Sequence, residues 1–190
     1  MIQDVAEKQG NIDVDVVTEA LASSKQRIIS KRYMTAGMGD GGACHPRDNI
    51  ALRWMAQKLD LKYDIFDAIM NAREVQAKNL AMYLVKLAEE NDLPILLNGV
   101  AYKPGVPYVD GSYSLLVGHY CKELGYDCMK VDPHVFPDTG PYSAVVLLAH
   151  EELYCKLNDD SIIVDPWRNF QSKTFKAVSY THLTLPTKDS

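Results

Sequence analysis

The residues that point most directly to chemistry lie in a glycine-rich stretch, GDGGACHPRD, at positions 39–48. It places the thiol of Cys44 on a turn that we expect to lead directly into a helix. The N–H groups of a helix start carry partial positive charge, and Arg47 adds a cation, so both favour the nucleophilic thiolate. Asp48 would lie on the first helical turn, where it can orient water or accept a proton. This combination predicts covalent catalysis by cysteine.

Two other interpretations of this stretch stay open on the residues alone. In the first, Cys44 is a buried packing residue and Asp48 serves only as a helix cap. In the second, the chain is a cysteine hydrolase, which needs a histidine base beside the thiol, and only His45 is close in sequence. The five histidines show no metal-ligand spacing, so no metal is predicted.

The first half of the chain carries the helical patterns that would position this stretch. Residues 13–22 suit a short amphipathic helix. A second helix is expected to open at Asp48 or a neighbour, and its apolar face would consist of Ile50, Ala51, Trp54, Met55 and Leu59. Residues 64–90 predict one long helix without Gly or Pro. That helix is too long for one small core, so we expect part of it to form a homodimer interface.

The pattern changes after Pro94, where short apolar runs alternate with helical segments. Strands are predicted over residues 94–100, 127–131, 143–149 and 161–164, and helices over 112–124 and 151–157. This alternation indicates an α/β fold with a parallel, Rossmann-like sheet. Ligands of such sheets bind at the carboxyl ends of the strands, where Lys103, Asp132 and Asp165 would lie. We expect the closing elements of the sheet to be missing.

Composition narrows the class of protein. The 190 residues are 47% hydrophobic and 24% charged, which predicts a packed globular core. A net charge of -5 disfavours nucleic-acid binding, which usually needs a concentrated basic surface. The four cysteines contain no CxxC pair, and no apolar run approaches the roughly 20 residues of a membrane span. A cytoplasmic protein that contacts neither nucleic acid nor membrane is expected.

Four stretches, taken in order, resemble the UDP-glucose/GDP-mannose dehydrogenase family. They are YMTAGMGDGGACHPRD at 33–48, AIMNAREVQAKNL at 68–80, LNGVAYKP at 97–104 and KVDPH at 130–134. The first is similar to the family's active-site signature, with glycines, Cys, Pro and Asp in register. The resemblance covers roughly residues 2–170. It implies an enzyme that oxidises the C6 alcohol of a nucleotide sugar to the uronic acid with NAD as cofactor.

The resemblance also implies roles for individual residues. Cys44 would form a thiohemiacetal and then a thioester, and Asp48 would assist the hydrolytic water. Arg47 would stand in the place of the family's usual lysine and contact the cofactor. The remaining residues that it implies bind the nucleotide sugar are Tyr33, Gly37, Gly41, Lys103 and Arg168, with Arg27 or Arg32 reaching a neighbouring subunit's substrate.

The sequence departs from the family's pattern in three respects. Asp40 replaces a common aromatic residue, and Asp110 replaces an arginine that reaches NAD. We expect the family's NAD-binding domain to be missing from this chain, and we therefore expect the chain alone to bind NAD weakly and to turn over no substrate. The expected organisation is a helical central domain over 1–92, a sugar-nucleotide-binding domain over 93–177 and a non-native tail over 178–190. The alternative function is a non-catalytic sugar-nucleotide-binding or oligomerisation module.

Overall fold

The computed structural model describes residues 11–23, 34, 37–38, 43–168, 170 and 176–178. Four helices lie within these residues: α1 (Val14–Ala22), α2 (Cys44–Lys58), α3 (Ile65–Asn91) and α4 (Tyr113–Glu123). The strands are β1 (Ile95–Asn98), β2 (Met129–Val131), β3 (Val145–Leu148), β4 (Ile162–Val164) and β5 (Lys176–Val178). The predicted α/β class is confirmed.

Polar side chains cap the N-termini of three of these helices. Asp13 accepts a hydrogen bond from the Asp15 N–H at 2.9 Å and so caps α1. Asp64 caps α3 through the Asp67 N–H at 3.0 Å. Ser112 caps α4, since its hydroxyl accepts a bond from the Leu115 N–H at 3.2 Å. Each cap satisfies a backbone donor that has no partner within its helix.

The five strands form one parallel sheet in the order β2-β1-β3-β4-β5. Every residue of β1, β3 and β4 is buried, as their uninterrupted apolar runs predict. Alternate strand residues enter two cores. Leu97 and Leu147 pack with α3 and α4 on one face, whereas Leu96 and Val146 pack on the other face with residues that include Tyr154 and Trp167. The fifth strand was not predicted.

The prediction of a helix over residues 151–157 is wrong, because the structure has irregular backbone there. The backbone N–H groups of this segment donate to residues outside it. The Tyr154 N–H donates to the Asn98 side chain at 2.8 Å, and the Lys156 N–H donates to the Thr139 carbonyl at 2.9 Å. Leu157 forms a parallel bridge with Tyr142. The apolar side chains of this segment still cover the second face of the sheet, and they do so from an irregular backbone.

The second helix starts earlier than predicted, at Cys44 rather than near Asp48. Pro46 lies in its first turn, where a missing N–H costs nothing because the first donors have no intrahelical acceptor. The apolar face expected on α2 stays exposed in the described part of the chain: Ile50 by 56%, Trp54 by 59% and Met55 by 50%. Only Asn49 and Ala56 of α2 are buried.

Helix α3 confirms the long helix and divides into two halves by burial. Its second half packs Leu80, Leu84 and Leu87 into the core beside the sheet. Its first half leaves Ile65 exposed by 59% and Val75 by 57%. Within the ranges described above, no helix combines the length and the apolar character that crossing a bilayer requires.

Candidate active site

Cys44 is the first residue of α2, and its side chain is exposed. The residue before it, Ala43, offers no side chain to cap the helix. The partial positive charge of the helix start therefore acts next to the thiol without a competing cap. The other three cysteines are buried or half-buried, and burial raises the pKa of the Cys155 thiol to about 11. The interpretation of Cys44 as a buried packing residue is wrong.

Arg47 and Asp48 form an ion pair beside this thiol, with 2.8 Å between Arg47 Nε and Asp48 Oδ1. The hydrogen bond from Arg47 lowers the pKa of the Asp48 carboxyl. Asp48 and then Cys44 raise the pKa of the Arg47 guanidinium. Arg47 thus stays charged and lies close to both groups predicted to be catalytic.

His45 turns toward its own helix. Asn49 donates a hydrogen bond to the His45 carbonyl at 2.7 Å, and its amide nitrogen lies 3.4 Å from His45 Nδ1. A cysteine hydrolase would require this ring to bond the thiol of Cys44 instead. The contacts with Asn49 disfavour the hydrolase interpretation.

The loop that follows β1 packs against the helix start. Gly111 has φ +77°, and a Cβ added there would lie 2.5 Å from Ala43 Cα. Only glycine tolerates both this backbone conformation and this contact. Lys103, at the other end of the loop, is exposed, and its Nζ lies 5.3 Å from the centre of the Tyr102 ring. The structure thus places the Gly111 end of this loop next to Cys44.

Tyr108 belongs to the same loop and was not recognised from the sequence. A hydrogen bond with Asp110 raises the pKa of the Tyr108 hydroxyl, which also lies within electrostatic range of Arg47 and Cys44. The Tyr108 ring meets the Tyr102 ring edge to face, with 5.9 Å between centroids. The DGS sequence after Tyr108 signals a turn, but no local pattern indicates that this turn contacts residue 43.

The two aspartates expected at the carboxyl ends of the strands act as backbone anchors. Asp132 accepts hydrogen bonds from the Val100 and Ala101 N–H groups, both at 2.9 Å, and from that of His134 at 3.0 Å. Burial raises the pKa of Asp132, but these bonds and nearby His150 outweigh it, so the pKa is lowered overall. Asp132 therefore holds the end of β1 in place.

Asp165 organises the turn after β4 in a similar way. Its carboxylate accepts bonds from the Trp167 N–H at 2.9 Å and the Phe170 N–H at 2.7 Å. Trp167 in turn lies against Gly37, where an added Cβ would be 2.7 Å from the indole ring. Gly37 thus contacts the turn that follows the carboxyl end of β4.

Arg168 pairs with α1. Its Nη1 lies 3.8 Å from Asp13 Oδ1 and forms an ion pair with Asp15. Its side chain is only 16% exposed, so a phosphate would have to compete with two carboxylates. The predicted phosphate contact of Arg168 stays a prediction.

Several predicted residues lie outside the described residues: Tyr33, Gly41, Arg27, Arg32 and Asp40. Their predicted roles stay predictions, as does the non-native character of residues 178–190, of which only Val178 is described. In the part of the chain that the structure describes, no group of three or more His, Cys, Asp or Glu side chains is arranged to hold a metal ion.

Known proteins similar to this chain are nucleotide-sugar dehydrogenases. The model of the UDP-glucose/GDP-mannose dehydrogenase family, central domain, matches residues 1–74. UDP-glucose 6-dehydrogenase TuaD of Bacillus subtilis is 22% identical over 169 residues, which are 87% of this chain and 37% of that protein. GDP-mannose 6-dehydrogenase of Pseudomonas putida is 30% identical over 98 residues, covering 52% of this chain and 22% of that protein. Over these stretches the chain is similar to the UDP-glucose/GDP-mannose dehydrogenase family.

Solved structures show the same fold. A UDP-glucose dehydrogenase from the archaeon Pyrobaculum islandicum aligns with a TM-score of 0.66 and 21% identity, covering 93% of this chain and 44% of that one. A ternary complex of GDP-mannose dehydrogenase from Pseudomonas aeruginosa aligns with a TM-score of 0.54 and 16% identity, covering 90% and 47%. The chain spans about two fifths of the length of the first curated relatives, at 37% and 41%.

Proposed function

We propose that this chain is the catalytic-cysteine and sugar-nucleotide-binding part of an NAD-dependent nucleotide-sugar 6-dehydrogenase. The observation that supports this most directly is the exposed thiol of Cys44 at the start of α2, with Arg47 and Asp48 beside it. The loop that carries Lys103 closes against the same helix start through Gly111. In this proposal, Cys44 is the nucleophile and the loop contributes part of the substrate site beside it.

In the proposed reaction, the Cys44 thiolate adds to the C6 aldehyde carbon and gives a thiohemiacetal. Bound NAD would supply the hydride acceptor for each of the two oxidations. Asp48, whose pKa is lowered by the bond from Arg47, is ionised at neutral pH and accepts a proton from the water that hydrolyses the resulting thioester. Hydrolysis releases the uronic acid and returns the thiol.

Arg47 fits a role at the anionic cofactor, since its side chain is 71% exposed and stays charged. We propose that it contributes a cation to NAD, whereas Asp110 would repel a phosphate placed beside it. Gly37, Lys103 and Arg168, with Tyr33 and Gly41, are the proposed contacts of the nucleotide sugar. The cytoplasmic location and the division into domains at 1–92 and 93–177 are likewise proposed.

The exposed apolar side chains of the helices support a homodimer. On α3, Ile65, Val75 and Met82 are 59%, 57% and 45% exposed, and Trp54 on α2 is 59% exposed. Such a patch on a globular protein commonly marks an interface. We propose that α3 contributes to a dimer, and sedimentation velocity measures whether one forms. The same patch is the observation that favours the alternative, a non-catalytic oligomerisation module.

Thiol labelling tests the proposed function on the 190-residue chain itself. Iodoacetamide is added at neutral pH, and mass spectrometry follows alkylation of each cysteine with and without saturating UDP-glucose or GDP-mannose. We expect Cys44 to react first and one of the two nucleotide sugars to slow its reaction several-fold. Cys155 is the internal control, because its burial and its pKa of about 11 make it slow in both conditions. Labelling of Cys44 that neither nucleotide sugar changes would contradict the proposal.

A further inference from the structure

The histidine that follows β3 is buried and hydrogen-bonded at both ring nitrogens. His150 is only 5% exposed. Its Nε2 lies 2.9 Å from the Ala101 carbonyl oxygen, and its Nδ1 lies 2.9 Å from the Tyr154 hydroxyl oxygen. A carbonyl oxygen can only accept, so Nε2 donates to Ala101, and in the neutral ring Nδ1 accepts from Tyr154. The ring therefore joins the segment after β3 to the chain that leaves β1.

The segment that carries this ring is itself tied to the end of β1. Asn98, the last residue of β1, accepts a bond from the Tyr154 N–H at 2.8 Å and donates to the Glu152 carbonyl at 2.7 Å. Burial raises the pKa of Tyr154 to about 12, so its hydroxyl keeps the proton that it donates to His150. The orientation of the ring is thus set by its neighbours on both sides.

The turn after β1 is shaped to receive the histidine. Gly99 has φ +93°, and an added Cβ would lie 2.6 Å from His150 Cγ, so a side chain at this position would displace the ring. Asp132 accepts the Val100 and Ala101 N–H groups, both at 2.9 Å. Ala101 is therefore held at its N–H by a carboxylate and at its carbonyl by an imidazole.

Contacts continue from Ala101 to Lys103, two residues later. The Tyr102 N–H donates to the Tyr108 carbonyl at 2.9 Å. The Lys103 ammonium lies 5.3 Å from the centre of the Tyr102 ring, and the lysine side chain is exposed. The backbone that carries this cation is thus fixed, while the cation itself can meet a ligand.

We propose that His150 is a positioning residue that holds the turn after β1 so that Lys103 faces the nucleotide sugar. This rests on the proposed function, in which Lys103 contacts that substrate. His150 is too deeply buried to touch the ligand, so it acts through the Ala101 carbonyl. Fixing the backbone of a long side chain before the ligand arrives reduces the ordering cost of binding.

A double-mutant cycle on the 190-residue chain tests this assignment. Calorimetric titration measures the affinity for UDP-glucose and GDP-mannose in wild type, His150→Asn, Lys103→Ala and the double variant. Asparagine is too short to reach the Ala101 carbonyl, so His150→Asn should weaken binding about three- to tenfold. In the Lys103→Ala background the same substitution should weaken binding no further.

Three further variants separate positioning from stability. His150→Gln places an amide N–H near the position of Nε2 and should restore most of the affinity. Tyr154→Phe removes only the hydroxyl that meets Nδ1, so it should give a smaller loss through the same lysine, and it completes the cycle if His150→Asn does not fold. His119→Asn is the matched control and should bind as wild type, because the His119 side chain is 59% exposed on α4.

The outcomes separate the role of His150 from the function on which it rests. If the wild type binds neither nucleotide sugar, the proposed function fails and the role of His150 fails with it. If the wild type binds and His150→Asn binds equally well, the function survives and the assignment of His150 is overturned. A loss that persists in the Lys103→Ala background also overturns it, because His150 would then support the fold as a whole. Lys103→Ala that binds as tightly as wild type overturns it as well.

Discussion

The central strands and helix α2 differ in how they are held in place. All residues of β1 and β3 are buried, and their side chains enter cores on both faces of the sheet. Helix α2 carries Cys44 but buries only Asn49 and Ala56. The strands are held by close packing of buried apolar side chains on both faces of the sheet. Helix α2, in contrast, depends on a few specific contacts. Stability and site geometry should therefore respond to different substitutions.

The largest effect is expected in the sheet, for Leu97→Ala. Leu97 is fully buried on β1 and packs in the core with α3 and α4. Removing its side chain should lower the free energy of unfolding by about 2–5 kcal/mol, since it loses apolar contact and leaves a cavity. Urea denaturation measures this. Leu52→Ala is the matched control on α2, where Leu52 is 40% exposed, and it should change stability by less than about 0.5 kcal/mol. Equal losses would contradict the contrast.

The next effect concerns Asp132, which links β1 to β2. Because its pKa is lowered in the folded state, the carboxylate stabilises the fold above its unfolded pKa of about 3.9, and this stability is lost as the pH falls through the lower folded pKa. Asp132→Asn should cost about 1–3 kcal/mol at pH 7, because an amide cannot accept all three N–H bonds. Urea denaturation at pH 7 and pH 3 should show a smaller pH dependence in the variant. The exposed Asp159→Asn should behave as wild type.

Alanine substitutions at two glycines, Gly105 and Gly111, test the contact between the loop and the start of α2. Gly105 and Gly111 have φ +76° and +77°, but an added Cβ meets nothing within 4 Å at Gly105 and meets Ala43 at Gly111. Gly105→Ala should lose about 1–2 kcal/mol through backbone strain. Gly111→Ala should lose more, because its Cβ must also displace the Ala43 backbone. Only Gly111→Ala should also change the rate at which iodoacetamide labels Cys44. If Gly105→Ala changes that rate equally, the loop does not act through Ala43.

The smallest effect is expected where α2 and α3 are joined by an ion pair. Arg53 Nη2 lies 2.9 Å from Asp67 Oδ1, and both side chains are partly exposed, by 45% and 34%. Arg53→Gln should cost no more than about 1 kcal/mol, and the cost should shrink in high salt. Thermal unfolding at low and high salt measures both. A loss as large as that of Leu97→Ala would mean that α2 is held more firmly than its burial indicates.

Local sequence patterns predict the regular elements because burial and capping are encoded in neighbouring residues. The runs around Leu97 and Leu147 gave the strands, and an unbroken helical pattern gave α3. Residues 151–157 misled the prediction, because their apolar side chains cover the sheet while Tyr154 bonds to distant Asn98. The spacing of apolar residues along a segment carries no information about a hydrogen bond to a residue far away in sequence.

In the candidate site, too, sequence predicts the local features and misses the long-range contacts. The signature around Cys44 is local, and the exposed thiol at a helix start agrees with it. The contact of Gly111 with Ala43 joins residues far apart in sequence, so no local pattern predicts it. The pairing of Arg168 with Asp13 and Asp15 is also long-range. Sequence thus predicted the position of Cys44 at a helix start better than the contacts around it.

The strand order has a consequence for how the chain folds. Central strand β1 pairs with β2 and β3, and the chain between β1 and β3 includes both α4 and β2. Helix α3 forms from local contacts, whereas this pairing must close a long segment before apolar burial compensates for the lost chain entropy. Folding should therefore be limited by assembly of the central strands, and α3 should gain its helical content earlier.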